Sequence, residues 1–192
     1  LFCYPSKSPT RSFSLKLFVS SKRRQSTGKA VVVQSSKMEK KLQAIKSSQL
    51  FETFDDSVLK RFVESCSVTR FKAGEIIFVE TSEGDEIYLI TDGEVSIRIA
   101  LANAEQDYEI IREQRGDLLG EVRFIDNLPR SATAIAETDV ELLVWHSSSW
   151  QEICDEDSRT GYRLTLEIAK TLSDRLRRWN VRILDTVEWG IA

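Results

Sequence analysis

A single histidine, a single methionine, three cysteines and three prolines are spread over 192 residues. One histidine cannot build a histidine-rich metal centre. Cys3, Cys66 and Cys154 are odd in number and lack CxxC spacing, so they form neither a disulfide framework nor a zinc knuckle. A reducing compartment is the expectation that follows. No apolar run approaches the roughly 20 residues of a membrane-spanning helix, and no transmembrane segment is expected. No nucleophile–base pair or metal set stands out, which argues against an enzyme and leaves no catalytic or metal-ligating residue to nominate.

Acidic residues are missing from one whole region, since none precedes Glu39. Residues 1–37 hold eight basic residues, nine serines and two threonines. That is the composition of an organelle transit peptide, and serine-rich character with lysines points to a plastid. Val31 to Ser36, VVVQSS, reads as a processing site. Met38 is the only methionine, and if it is the true start the stretch before it is a disordered leader and the location mitochondrial or cytoplasmic. The expected division is therefore a leader over 1–37 and one domain over 38–192. Of 27 basic residues eight lie in the leader, which leaves 19 against 30 acidic ones and a net charge of −11 for residues 38–192. A body that acidic repels phosphate backbones, so no nucleic-acid partner is expected.

What is present is a change of hydrophobic period along the chain. Met38 to Ser47 and Asp55 to Ser65 have helical spacing, the second with Val58, Leu59, Phe62, Val63 and Cys66 on one face behind a capping Asp55. After Thr69 come short β-branched or alternating runs at 75–80, 86–90, 94–101, 108–113, 132–137 and 141–145. Turn signals separate them at Ala73-Gly74, Gly84-Asp85, Asp92-Gly93, Asn103-Ala104 and Arg115-Gly116-Asp117. Short strands at regular spacing predict a mainly β fold, a jelly-roll or β-roll, with helices before and after it. Helical period returns near Ser149, which forms a capping box with Glu152, and a long helix is expected from Ser158 to Asn180 or beyond. Its apolar stripe is Tyr162, Leu166, Ala169, Leu172, Leu176 and Trp179, continuing to Ile183 and Val187, with Arg163, Lys170, Asp174, Arg175, Arg177 and Arg178 on the opposite face.

Within the β region, residues 120–134 read GEVRFIDNLPRSATA. VRFID fits one helical turn between Gly120 and Pro129, and the start of such a turn presents free N–H groups to an anion. Arg130 adds a planar, permanently charged fork suited to phosphate oxygens. Glu121 would repel a phosphate and instead suits a neighbouring sugar hydroxyl. Together these specify a phosphate attached to a ribose.

This stretch, with FKAGEIIF at 71–78 and GDEIYLITDGEVSI at 84–97, resembles the cyclic nucleotide-binding domains over about residues 45–180. The resemblance implies a regulatory module that binds cAMP or cGMP and needs no cofactor. By the same resemblance Glu121 takes the ribose 2′-hydroxyl, Arg130 pairs with the exocyclic phosphate, and backbone groups of Gly120, Val122, Ser131 and Ala132 complete the pocket, with a further bond from the Ser131 hydroxyl. Trp179 on the long helix is placed as a lid over the base. Two positions depart from the family pattern: Arg123 stands where a small residue is usual, and Thr81 where a glycine is frequent. Output is expected through the C-terminal helix, to a protein partner or a second copy of the chain. The alternative is the same fold without ligand, as a structural or interaction subunit of a larger complex in which Arg130 and Glu121 merely pair. His146, after a strand, is expected at the surface, and Cys154 on the buried side of a helix.

Overall fold

The computed structural model describes the backbone of residues 24–100 and 107–190 and the side chains of 35–100 and 107–180. The chain divides into two units, residues 1–35 and 36–192. In the first, the described part is helical backbone from Arg24 onward, the beginning of α1 (Arg24–Lys46). The helix expected from Met38 thus starts fourteen residues earlier, and VVVQSS is helical. The remainder of the expected address lies outside the described residues, as do Leu101 and the Asn103-Ala104 turn.

In the second unit a single 3-10 turn (Gln49–Phe51) leads to α2 (Asp56–Ser65), with Asp55 at its N-cap. Leu59, Phe62, Val63 and Cys66 are buried and Val58 packs against them, as the three- and four-residue spacing requires. Among the described residues eight strands follow: β1 (Ser67–Phe71), β2 (Ile76–Phe78), β3 (Glu86–Asp92), β4 (Glu94–Ile99), β5 (Tyr108–Gln114), β6 (Leu118–Leu119), β7 (Thr133–Ala136) and β8 (Val140–His146). They form two four-stranded antiparallel sheets, ordered β1-β8-β3-β6 and β2-β7-β4-β5. This is the expected β-roll. β1 and β6 add to the six strands expected from sequence. A short helix, α3 (Val122–Asp126), interrupts the second half of the roll, and α4 (Ser147–Glu156) and α5 (Ser158–Gly190) close the chain.

Two apolar layers hold these elements. Ile90, Val95, Leu119, Ala134, Ala136, Val140 and Leu142 fill the space between the sheets. Phe51, Phe54, Phe62, Trp145 and Trp150 form an aromatic cluster beneath the helices, with the Trp145 indole N–H donating to the Phe62 carbonyl at 2.7 Å. Phe124 of α3 reaches this cluster edge-on, its ring centroid 5.7 Å from that of Trp150.

Two expectations about the C-terminal helices are corrected. α4 begins at Ser147 with His146 at its N-cap, so the Ser149–Glu152 box lies inside the helix and does not open it. On α5 the packed face carries Leu164 and Ile168, fully buried, then Leu172 and Arg175, a run spaced 4, 4 and 3. Tyr162, at 69% exposure, Leu166 and Ala169 face away from the core. Of the described part of the expected stripe, Leu172 alone packs against this core, where Leu164 and Ile168 take the places expected of Tyr162, Leu166 and Ala169. Asp157 helps to start α5, accepting from the Arg159 amide at 3.1 Å and the Thr160 hydroxyl at 2.6 Å. Ile183 and Val187 lie outside the described side chains. Among the described residues no helix is long and apolar enough to cross a membrane.

Candidate ligand-binding site

The loop before α3 turns at Gly120, whose φ of +76° is costly for any residue with a β-carbon. A β-carbon there would also overlap the Arg130 guanidinium and lie 2.7 Å from the Glu86 carbonyl oxygen. α3 ends where Asn127 enters the left-handed region at φ +56°, and Asp126 accepts from the Leu128 amide at 3.0 Å. The chain then returns through Pro129 into β7, delivering Arg130. Across the roll the loop at 79–84 holds that residue's backbone: the Thr81 amide donates to the Arg130 carbonyl at 2.8 Å and the Arg130 amide to the Ser82 carbonyl at 3.0 Å. Thr81 adopts φ +64°, which explains why glycine is frequent in the family at this place.

These elements enclose a cavity of about 310 Å³ between the roll and α5. Gly120, Glu121, Val122, Arg130, Ser131, Ala132 and Trp179, all seven residues expected at a site, line it. The Ser131 side chain is exposed and Ala132 is buried. Trp179, 36% exposed, lies on the helix side with Leu172 and Leu176.

Arg130 is 4% exposed. Its guanidinium donates to the Gly120 carbonyl at 3.2 Å and the Glu86 carbonyl at 2.8 Å, meets the Glu86 carboxylate at 3.2 Å, and stacks 4.5 Å from the Phe78 ring centroid. The Nε–H makes no hydrogen bond. Glu121 does not pair with Arg130, which corrects the simple salt bridge considered from sequence. Its partner is Arg175 of α5, whose Nη1 contacts Glu121 Oε1 while Nη2 donates to the Leu118 carbonyl. Glu121 Oε2 makes no hydrogen bond.

Arg175 also lies 2.8 Å, through Nε, from Oε1 of Glu113 on β5. The contact is off the N–H direction, and neither Glu113 oxygen receives a hydrogen bond. Burial pushes the Glu113 carboxyl up to about 7, with Arg175 opposing the rise and Asp117 adding to it. For Arg175, burial works against the charge, but Glu121 and Glu113 hold it above the ordinary arginine value. Sequence period had placed Arg175 on the outer charged face. Its spacing from Leu164, Ile168 and Leu172 was the signal that it belongs on the packed one. Glu113 and Glu86 were also missed, each sitting in a strand as one acid among many.

Arg123 lines the cavity mouth with its head turned aside, 2.8 Å from Glu83 and donating to the Leu128 carbonyl at 3.0 Å. His146 is exposed, its Nδ1 3.2 Å from Asp85. Asp85, Glu86 and His146 bring ligand-type atoms within 4.8 Å of one another. Glu86 is engaged with Arg130, and Asp85 lies within hydrogen-bonding distance of the His146 ring.

Comparison with known proteins agrees with this geometry. Residues 68–157 match the model of the family described as cyclic nucleotide-binding domain. The chain is 27% identical over 139 residues to a cAMP-dependent protein kinase regulatory subunit of Candida albicans, covering 69% of this chain and 29% of that protein. It spans about a quarter of the length of the curated relatives it matches. Among solved structures, the regulatory domain of Toxoplasma gondii PKA with cAMP superposes with a TM-score of 0.67 at 19% identity, covering 78% of this chain and 55% of that one. A cyclic nucleotide-binding domain from Methylobacillus flagellatus does so with a TM-score of 0.68 at 22% identity, covering 78% and 83%. These two likenesses concern the fold. The family model and the two-sheet roll agree: residues 68–157 match the cyclic nucleotide-binding domain family, and the fold is the one its solved relatives have.

Proposed function

We propose that the chain is a regulatory module that binds a cyclic nucleotide, cAMP or cGMP, and couples occupancy to movement of α5. One observation carries this reading. A buried donor, Arg130 Nε–H, and a buried acceptor, Glu121 Oε2, border the same cavity without hydrogen bonds, and a phosphate joined to a sugar hydroxyl answers both. The phosphate also meets the amides around Gly120, Val122, Ser131 and Ala132, and the base lies toward Leu172, Leu176 and Trp179. A ribose hydroxyl on Glu121 Oε2 draws on the same carboxylate that holds Arg175 through Oε1, and so weakens the ion-pair link between α5 and the loop before α3. Occupancy thereby shifts the population of α5 positions and the surface it offers a protein partner or second copy.

Arg130→Lys, which keeps the charge but loses the fork, separates binding from folding. With a hundredfold excess of ligand over its dissociation constant, the wild-type chain should gain about 2.7 kcal/mol in a thermal melt, and the variant nothing. No shift at millimolar cAMP or cGMP overturns the reading.

A second reading, the ligand-free interaction subunit, has its own support. Arg175 already satisfies Glu121 in part, and Tyr162 and Leu166 leave an apolar face outside the roll. It expects stoichiometric co-purification with a larger assembly and no nucleotide response.

A further inference from the structure

Arg175 fastens α5 to the roll through two buried carboxylates, and the two links differ in kind. Glu121 accepts a hydrogen bond from the guanidinium, as does the Leu118 carbonyl. Glu113 on β5 stands 2.8 Å from Arg175 Nε, yet neither of its oxygens receives a hydrogen bond. It therefore holds Arg175 by charge alone. A proton on Glu113 removes that charge and the link with it, whereas a hydrogen-bonded carboxyl keeps its partner in either state.

On β4 the cross-strand neighbour of Glu113 is Val95, which is apolar and fully buried. The loop after β5 sets Asp117 beside it, a second acid that disfavours the ionised form. From α5 come Arg175 and, at 3.8 Å, the half-exposed Arg178, which favour that form. Burial outweighs the two cations and lifts the carboxyl to about 7, so at neutral pH only part of the molecules carry the charge that holds Arg175.

The ribose contact acts on the other end of the same guanidinium. A hydroxyl on Glu121 weakens one hold on α5, and a proton on Glu113 abolishes the other. A proton that loosens α5 lowers the free energy of the displacement that occupancy requires, and by linkage the nucleotide favours the proton to the same degree. We propose that Glu113 makes α5 a coincidence detector, released in concert by a cyclic nucleotide at Glu121 and a proton at Glu113; the inference rests on the cyclic-nucleotide reading above. Nucleotide binding accordingly takes up a proton, and affinity falls as pH rises through neutrality.

Calorimetric titration of the full chain with cAMP and with cGMP at pH 7.5, in buffers of different ionisation enthalpy, counts the protons exchanged. The expected result is uptake of about half a proton or more, and an affinity about five- to tenfold lower at pH 8 than at pH 6. Glu113→Gln, close in volume and always neutral, should exchange no proton and bind at pH 8 about as tightly as the parent does at pH 6. His146→Asn removes the chain's one histidine and should leave the uptake unchanged. Binding without uptake in the parent, release in place of uptake, uptake that persists in Glu113→Gln or disappears in His146→Asn, or loss of binding in Glu113→Gln overturns the role of Glu113 and leaves the cyclic-nucleotide reading standing. Failure of the parent to bind either nucleotide at any of these pH values overturns that reading and this one with it.

Discussion

Arg130 and Arg175 reach the same cavity from opposite walls, and their partners differ in kind. Arg130 is held by two backbone carbonyls and an aromatic face, with one carboxylate at 3.2 Å, and keeps an N–H free. Arg175 sits between two carboxylates that are themselves buried, Glu113 and Glu121. Neutral partners position a cation while leaving its field available; acidic partners spend it. A cavity lined by both is thus polarised by neighbours, although the two side chains are chemically the same.

The largest effect should come from breaking the second arrangement. Arg175→Leu leaves two buried carboxylates without their cation and should lower stability by about 3 kcal/mol or more in urea unfolding at pH 7.5. A loss under about 1 kcal/mol would mean that water already serves those acids. Arg123→Ala, also at the cavity, removes a cation paired with a well-exposed Glu83 and should change stability by less than about 1 kcal/mol, leaving nucleotide response intact.

Between these lies a pH effect. The Glu113 carboxyl is raised from 4.5 to about 7 in the folded chain, so folding takes up a proton between those values. The stability that this contributes is complete below about pH 4.5 and is lost as pH rises through 7. Arg175, Arg178 and Asp117 are the charged groups facing it. Glu113→Gln lacks this titration, so its stability relative to the parent should grow by on the order of 2–3 kcal/mol from pH 5 to 8. Parallel stability curves would sink the assignment.

The same contrast explains what sequence reveals. Gly120, Glu121 and Arg130 lie within eleven residues, and their roles depend on local turn chemistry and on residue type, so they are legible as a string. The amphipathic face of α2 and the strands β3 and β8 follow from period. β1 is an edge strand with a largely exposed burial pattern, and β6 is two residues long, so neither carries a period to detect. α5 misleads for a physical reason. Tyr162, Leu166, Ala169 and Leu176 have helical spacing, whereas the face that packs includes an arginine, admissible there only because Glu113 and Glu121 await it from distant strands. Long-range charge compensation has no local signature.

The edge-on contact of Phe124 with Trp150 joins the five-residue helix after Glu121 to the helix preceding α5. Close-packed rings neither compress nor slide freely, so a displacement of that short helix must tilt the indole or break the contact. The short helix and α4 are therefore linked by a pair of rings, a contact that, unlike the ion pairs around Arg175, salt does not screen.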